Sequence, residues 1–348
     1  MTDINDPQAI VSVIVPTFNR ARYLPDALDS VLQQGIDGME TIVVDDGSTD
    51  DTEIAVAGYG SAVTYVRQTH QGAAAARNAG VARATGRFIS FLDSDDVWMP
   101  GKTQIELALF EQNPDVDAMI SDSERWRENT LVCSSWLADR GLVVSGEGPV
   151  PLHPTPHLKA GKVFATCSLT IRRAALDRLG HPPFDTSLET HEDMDFAVRM
   201  YRCCSILVLP QTLARVRRFD DGSRAGRPVP GTEYPAAVKR AMARRKYRIY
   251  EKALRQPGWS SDALLDIQAA RREAAREFAD NVSGWSRRGL ASLVVAELRH
   301  AAFGSAATVA MRGLLPERGR SLLGQIAAAR VRRRMEAGSA RAREGSLP

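Results

Sequence analysis

Hydrophobic runs of strand length alternate with stretches of helical spacing over the first two hundred residues. Val11-Ser12-Val13-Ile14-Val15, Glu40-Thr41-Ile42-Val43-Val44 and Arg87-Phe88-Ile89-Ser90-Phe91-Leu92 are short, rich in β-branched or aromatic residues, and end at polar residues. Between them, Leu24, Ala27, Leu28, Val31 and Leu32 fall on one helical face, and Ala73 to Ala84 is helix-prone apart from Gly80. A helix from near Pro100 carries Ile105, Leu107, Ala108 and Leu109. Val116 to Ile120 reads as a strand, and Thr166 to Arg173 as a strand leading into a helix over Ala174 to Leu179. The alternation predicts an α/β fold, a doubly wound, mostly parallel sheet flanked by helices.

In such sheets ligands bind beyond the carboxyl ends of the strands. Three polar clusters are expected there: Pro16-Thr17-Phe18-Asn19, Asp45-Asp46-Gly47-Ser48-Thr49-Asp50 and Asp93-Ser94-Asp95-Asp96. Three carboxylates within four residues of a buried strand are costly unless a cation sits among them. Hard oxygen ligands select Mg2+ or Mn2+, and Mg2+ usually shares its shell with substrate phosphates. One Asp-x-Asp alone suits a solvated acidic turn. Three clusters on one sheet edge point to a site.

Val11 to Arg20 resembles the opening strand of the family 2 inverting glycosyltransferases. Val44 to Asp50 is similar to that family's second signature, Gln71 to Asn78 to its third, and Asp93 to Asp96 to its metal motif. The resemblance covers about the first 220 residues and is most specific over 11–98. It implies the GT-A fold, a nucleoside-diphosphate sugar donor, UDP-linked in the first instance, and a divalent metal. It places Asp95 as the first metal ligand and Asp93 at ribose or assisting the metal. Pro16, Thr17, Asn19 and Ser94 line the nucleotide pocket, and Asp46 accepts from the base N–H. Arg77 either contacts the nucleotide or holds the carboxylates. Trp98 packs near the sugar or anchors the core.

The segment 115–210 is expected to carry the acceptor side, with 139–162, rich in Gly, Pro and His, as a long functional loop. The run from His191 to Met200 resembles the family's acceptor-side signature, a Glu-Asp pair opening a helix, which puts Asp193 at the catalytic base and Glu192 as its alternative. Carboxylates also favour helix N-termini for capping alone. One position departs from the family. Arg217, in Ala214-Arg215-Val216-Arg217-Arg218, stands where a metal-binding His is common. A guanidinium cannot ligate a metal, but it suits phosphate.

Composition adds an asymmetry. Residues 1–230 hold 22 Lys+Arg against 31 Asp+Glu, a balance of −9; residues 231–348 hold 23 against 11, a balance of +12. The shift follows the Pro/Gly stretch from Gly226 to Pro235 and predicts a catalytic domain over 1–228 and a basic helical region over 229–348. Four or five helices are expected there, with breaks near Pro257-Gly258, Gly284, Gly304 and Pro316. Ser321 to Arg334 forms an amphipathic pattern that suits peripheral contact with an anionic bilayer, packing on the domain, or a homodimer. Sparse aromatic platforms argue against nucleic acid. Met1 to Asp6 lacks the form of a signal peptide, no apolar run reaches about eighteen residues, and the four cysteines lack metal-ligand spacing. A cytoplasmic setting is the expectation. The Asn281-Val282-Ser283 sequon is disregarded in that setting. The function expected is glycosyl transfer to a glycan or lipid-linked acceptor, in bacterial polysaccharide or glycoconjugate assembly. The alternatives are a non-catalytic scaffold of the same fold and, with less support, a nucleotidyltransferase.

Overall fold

The computed structural model describes residues 9–127, 129–142, 146, 148–152, 164–188, 190–219 and 235–280. The chain forms two compact units, residues 1–278 and 279–348, and the described residues lie almost wholly in the first. The amphipathic stretch 321–334, the Asn281 sequon, the breaks near Gly284, Gly304 and Pro316, and residues 226–234 of the expected linker lie outside the described residues. So does much of the expected loop 139–162.

Ten strands form one mixed sheet among the described residues. Strand β1 (Val11–Thr17) runs parallel to β2 (Met39–Asp45) on one side and to β4 (Phe88–Phe91) on the other, and β2 is parallel to β3 (Thr64–Arg67). Beyond β4 lies β9 (Leu169–Arg172), antiparallel both to β4 and to β6 (Ala118–Arg127). Strand β10 (Ile206–Arg218) then runs parallel to β6. Three short strands, β5 (Val97–Trp98), β7 (Thr130–Cys133) and β8 (Val150–Pro151), add antiparallel pairs at this end. The sheet is therefore parallel across the nucleotide half and mixed across the rest. Two reversals around β9 cancel, so β1, β2, β4, β6 and β10 all deliver their carboxyl ends to one edge.

Helices cover both faces. Alternation along β1 sends Val11, Val13 and Val15 into one core with Leu24, Leu28 and Val31 of α1 (Leu24–Leu32), and Ile14 into the other with Ala74 and Ala76 of α3 (Ala73–Arg83). Burial on both faces explains the unbroken hydrophobicity of these strands. Gly80 is explained by the same packing: a Cβ there would lie 2.4 Å from Ile14 Cγ2. The other helices are α2 (Thr52–Ala57), α4 (Lys102–Gln112), α5 (Trp136–Asp139), α6 (Arg173–Leu179), α7 (Glu192–Cys203), α8 (Ala236–Leu254) and α9 (Ser261–Asp280). Ile249, Tyr250, Ala253 and Ile267 of α8 and α9 join the core that holds Phe184 and Phe196. No described helix is long and apolar enough to cross a membrane.

Candidate active site

At the end of β2 two adjacent carboxylates do different work. Asp45 is fully buried; it accepts from Ser48 N at 2.8 Å and from the Tyr65 hydroxyl at 2.5 Å, which closes the turn. Asp46 faces the strand edge and gathers the loop before α3. Its oxygens accept from Gln68 Nε2 (2.7 Å), Gln71 N (2.9 Å) and Gly72 N (2.7 Å), and His70 Nδ1 lies 2.9 Å away. Gly47 makes this approach feasible. Its φ is +82°, and a Cβ there would sit 3.0 Å from His70 N. Across the edge, Asn19 adopts φ 53° and its Oδ1 accepts from Thr49 N at 2.8 Å, while its own N–H donates to Ser48 Oγ at 2.9 Å. Asn19 thus ties the β1 loop to the β2 loop. Thr17, 3% exposed at the end of β1, has a buried hydroxyl with no hydrogen-bond partner among the described residues. A buried orphan hydroxyl is costly, so this one is suited to meet a ligand.

The acidic run after β4 is divided among cations and backbone. Arg77 of α3, 4% exposed, donates to Asp93 Oδ1 at 2.7 Å and to Glu192 Oε1 at 2.9 Å. Burial opposes its charge, but the Asp93 and Glu192 carboxylates outweigh it and raise the guanidinium pKa. Asp95 lies 3.6 Å from Arg20 Nε. Ser94 and Asp96 are buried, and Asp96 Oδ1 accepts from the backbone N–H of Arg217 at 3.0 Å. Arg217 lies within β10. Its guanidinium donates to Asp26 at 2.6 Å and lies over the Tyr23 ring. Trp98 is a core anchor: its Nε1 donates to Cys167 O at 2.8 Å, with Lys102 Nζ 4.6 Å from its ring.

Arg77 links this edge to the start of α7. The neighbouring Asn78 fixes the segment before α7 by a reciprocal pair, Nδ2 donating to Phe184 O (2.8 Å) and Oδ1 accepting from Phe184 N (2.9 Å). Phe184 stacks on Phe196 at 4.6 Å. His191 caps α7 from the left-handed region, φ 69°, so Glu192, Asp193 and Asp195 crowd the first turn. Their fates differ. Asp195 is buried and structural, bound by Arg199 Nε (2.8 Å) and Lys252 Nζ (3.0 Å). Glu192 holds Arg77. Asp193 keeps part of its surface open and accepts from Met194 N at 2.8 Å. Surrounding protein, and then the charge of Glu192, push its pKa up to about 6, against the pull of Arg77. Burial, Lys246 and Arg245 lower that of His191.

The structure thus joins Asp93 to Glu192 through Arg77, with Asp193 next to Glu192 in the chain and Asp95 beside Arg20. Asn78, Arg20 and Asp96 stood in the sequence signatures without a role of their own. Asn78 and Arg20 close the very signatures in which they stand, and that position was their signal. Among the described residues no group of three His, Cys, Asp or Glu is gathered to hold a metal. Asp93 and Asp95 supply two carboxylates, which suits a cation that completes its shell with phosphates and water but not one caged by protein alone.

Residues 12–135 match glycosyl transferase family 2. An uncharacterized glycosyltransferase of Rickettsia prowazekii is 28% identical over 211 residues, 60% of this chain and 64% of that protein. The Escherichia coli UDP-Glc:alpha-D-GlcNAc-diphosphoundecaprenol beta-1,3-glucosyltransferase WfgD is 33% identical over 186 residues, 53% of this chain and 66% of that one. The chain spans less than two thirds of the length of the curated relatives it matches. Among solved structures, the mannosyltransferase PcManGT from Pyrobaculum calidifontis, in complex with GDP-Man and Mn2+, is 21% identical with a TM-score of 0.52, covering 95% of this chain and 89% of that one. That likeness is one of fold, the GT-A arrangement.

Proposed function

We propose that this chain, whose residues 12–135 match glycosyl transferase family 2, moves a sugar from a nucleoside-diphosphate sugar to an acceptor hydroxyl with inversion at the anomeric carbon. The observation that carries this is the Arg77 bridge between Asp93, at the end of β4, and Glu192, beside Asp193 on α7. It supports one site with a donor side and an acceptor side.

Asp193 is the proposed base. Its raised pKa leaves it a better proton acceptor than an ordinary carboxylate, while it is still ionised near neutrality. Glu192, committed to Arg77, is the poorer candidate. Thr17, Pro16, Asn19, Asp46 and Ser94 shape the nucleotide end, where the unpartnered Thr17 hydroxyl favours a ligand. Asp93 and Asp95 are the residues that would hold Mg2+ or Mn2+. Such a cation, when bound, neutralises charge on the leaving diphosphate. The PcManGT structure, with GDP-Man and Mn2+, supports metal use, and the name of the E. coli relative supports a UDP-linked donor and a lipid-diphosphate acceptor. On this reading the enzyme works in the cytoplasm, in polysaccharide or glycoconjugate assembly.

Thermal shift against a panel of nucleotide sugars with Mn2+ tests the donor. A ligand at 100 times its Kd stabilises by about 2.7 kcal/mol. Calorimetry with UDP and Mn2+ then tests the metal residues. Asp95→Ala should lose the metal-dependent part of the affinity and keep its fold. Unchanged metal-dependent affinity rejects the assignment, and no shift with any donor returns the protein to the scaffold class.

A further inference from the structure

The carboxyl ends of β6 and β10 carry an arginine cluster that the donor chemistry does not use. Arg125 of β6, Arg218 of β10 and Arg140, just past α5, place their guanidinium carbons 5.1, 5.0 and 5.0 Å from the centre of the Trp136 ring. Three cations this close to one point lie within about one Debye length of each other, so they repel. A ring quadrupole attracts each only modestly. Asp139 pairs with two of them, 2.6 Å from Arg125 and 3.8 Å from Arg140. Arg125 Nε still has no hydrogen-bond acceptor among the described residues. Trp136 itself is 8% exposed and is held in place because Leu137 N donates to buried Asp122 at 3.0 Å. The result is a rigid indole ringed by guanidinium groups from three elements.

Position gives the cluster a use. Strands β6 and β10 end on the same sheet edge as β4, and the backbone N–H of Arg217, next to Arg218, binds Asp96 of the acidic run. The cluster therefore flanks the reaction edge on the side away from β1 and β2. Planar guanidinium groups converging from several directions match the oxygens of a diphosphate.

We propose that Arg125, Arg140 and Arg218 around Trp136 bind a phosphate or diphosphate group of the acceptor. This rests on the glycosyl-transfer reading. The acceptor is then an anionic glycosyl phosphate, either lipid-linked or soluble.

Calorimetry with inorganic pyrophosphate in EDTA, on the full chain, tests the site. Wild type should bind, and Arg125→Gln and Arg218→Gln should each weaken binding by about tenfold or more. Affinity for UDP with Mn2+ should stay unchanged in both. If Arg125→Gln does not fold, Arg218→Gln and Arg140→Gln carry the test. Wild type that does not bind pyrophosphate, or variants that bind it as wild type does, overturn the proposal and leave the cluster structural. Absence of UDP binding by wild type would instead overturn the donor reading and leave the pyrophosphate result standing. Co-sedimentation with vesicles carrying a polyprenyl diphosphate, competed by pyrophosphate, assigns the lipid source; pyrophosphate binding without vesicle capture assigns a soluble acceptor. Both support the site.

Discussion

Asp193 is held where its charge is disfavoured. Its folded pKa, about 6, lies above the ordinary carboxylate value. Between about pH 4 and 6 the folded chain therefore binds more protons at this group than the unfolded chain does. The contribution to stability is complete below pH 4 and is lost as pH rises through 6. Asp193→Asn should thus melt higher than wild type at pH 7 in metal-free buffer, with the gap closing toward pH 4. A gap that is absent at pH 7, or that widens in acid, would remove this account. Arg77 is the converse case. Replacing it by Met leaves Asp93 and Glu192 without their shared cation, and because Asp93 is 33% exposed the loss is discounted for solvent to about 1–3 kcal/mol. Chemical denaturation should show a loss of that order together with weakened donor binding; a variant as stable as wild type would mean that solvent already screens the bridge. Asp46, Asp93 and Asp95 were legible because they follow hydrophobic runs, whereas Glu192 and Asp193 were reached only through the resemblance of the run that opens their helix. The bridge was not legible, because residues 77, 93 and 192 meet only in the folded chain.

The elements around β1 were readable for a simple reason: strands buried on both faces are uniformly hydrophobic, and their helices show one apolar face. Strand β3, Thr-Tyr-Val-Arg at the sheet margin and partly exposed, gave no such pattern. Neither did two-residue β5, nor the antiparallel setting of β9, which is fixed by its neighbours and not by its own residues. Gly80 looked like a flaw in a helix and is a contact. Alanine there gains about 1 kcal/mol of helix propensity but must displace Ile14, which costs about 1–3 kcal/mol. Gly80→Ala should lower the Tm by a few degrees. An equal or higher Tm would show that β1 and α3 can separate without cost.

Past the shift from acidic to basic composition, the described residues form helices α8 and α9. Helices α8 and α9 brace the site they follow. Lys252 reaches Asp195 and Asp185, Arg245 reaches Thr190 at 3.0 Å, and Ile249, Tyr250 and Ile267 are buried. Each such apolar side chain stabilises by about 1.5–3 kcal/mol. A chain ending at residue 280 should keep the donor affinity of the full protein, and one ending at 228 should unfold at lower denaturant or aggregate. Equal stability of the two would establish 228/229 as a true domain boundary.

The most direct measurement is turnover of Asp193→Asn, Glu192→Gln and Asp195→Asn with one donor and one acceptor. Asparagine at 193 keeps the size and can still accept from Met194 N, so a capping role would survive the change. General-base catalysis contributes about 10²–10⁴-fold. Asp193→Asn should lose turnover in that range with donor affinity intact, and the acid limb of the wild-type profile should fall near pH 6. Near wild-type turnover in Asp193→Asn, with Glu192→Gln inactive or with all three active, would contradict the central claim that Asp193 deprotonates the acceptor.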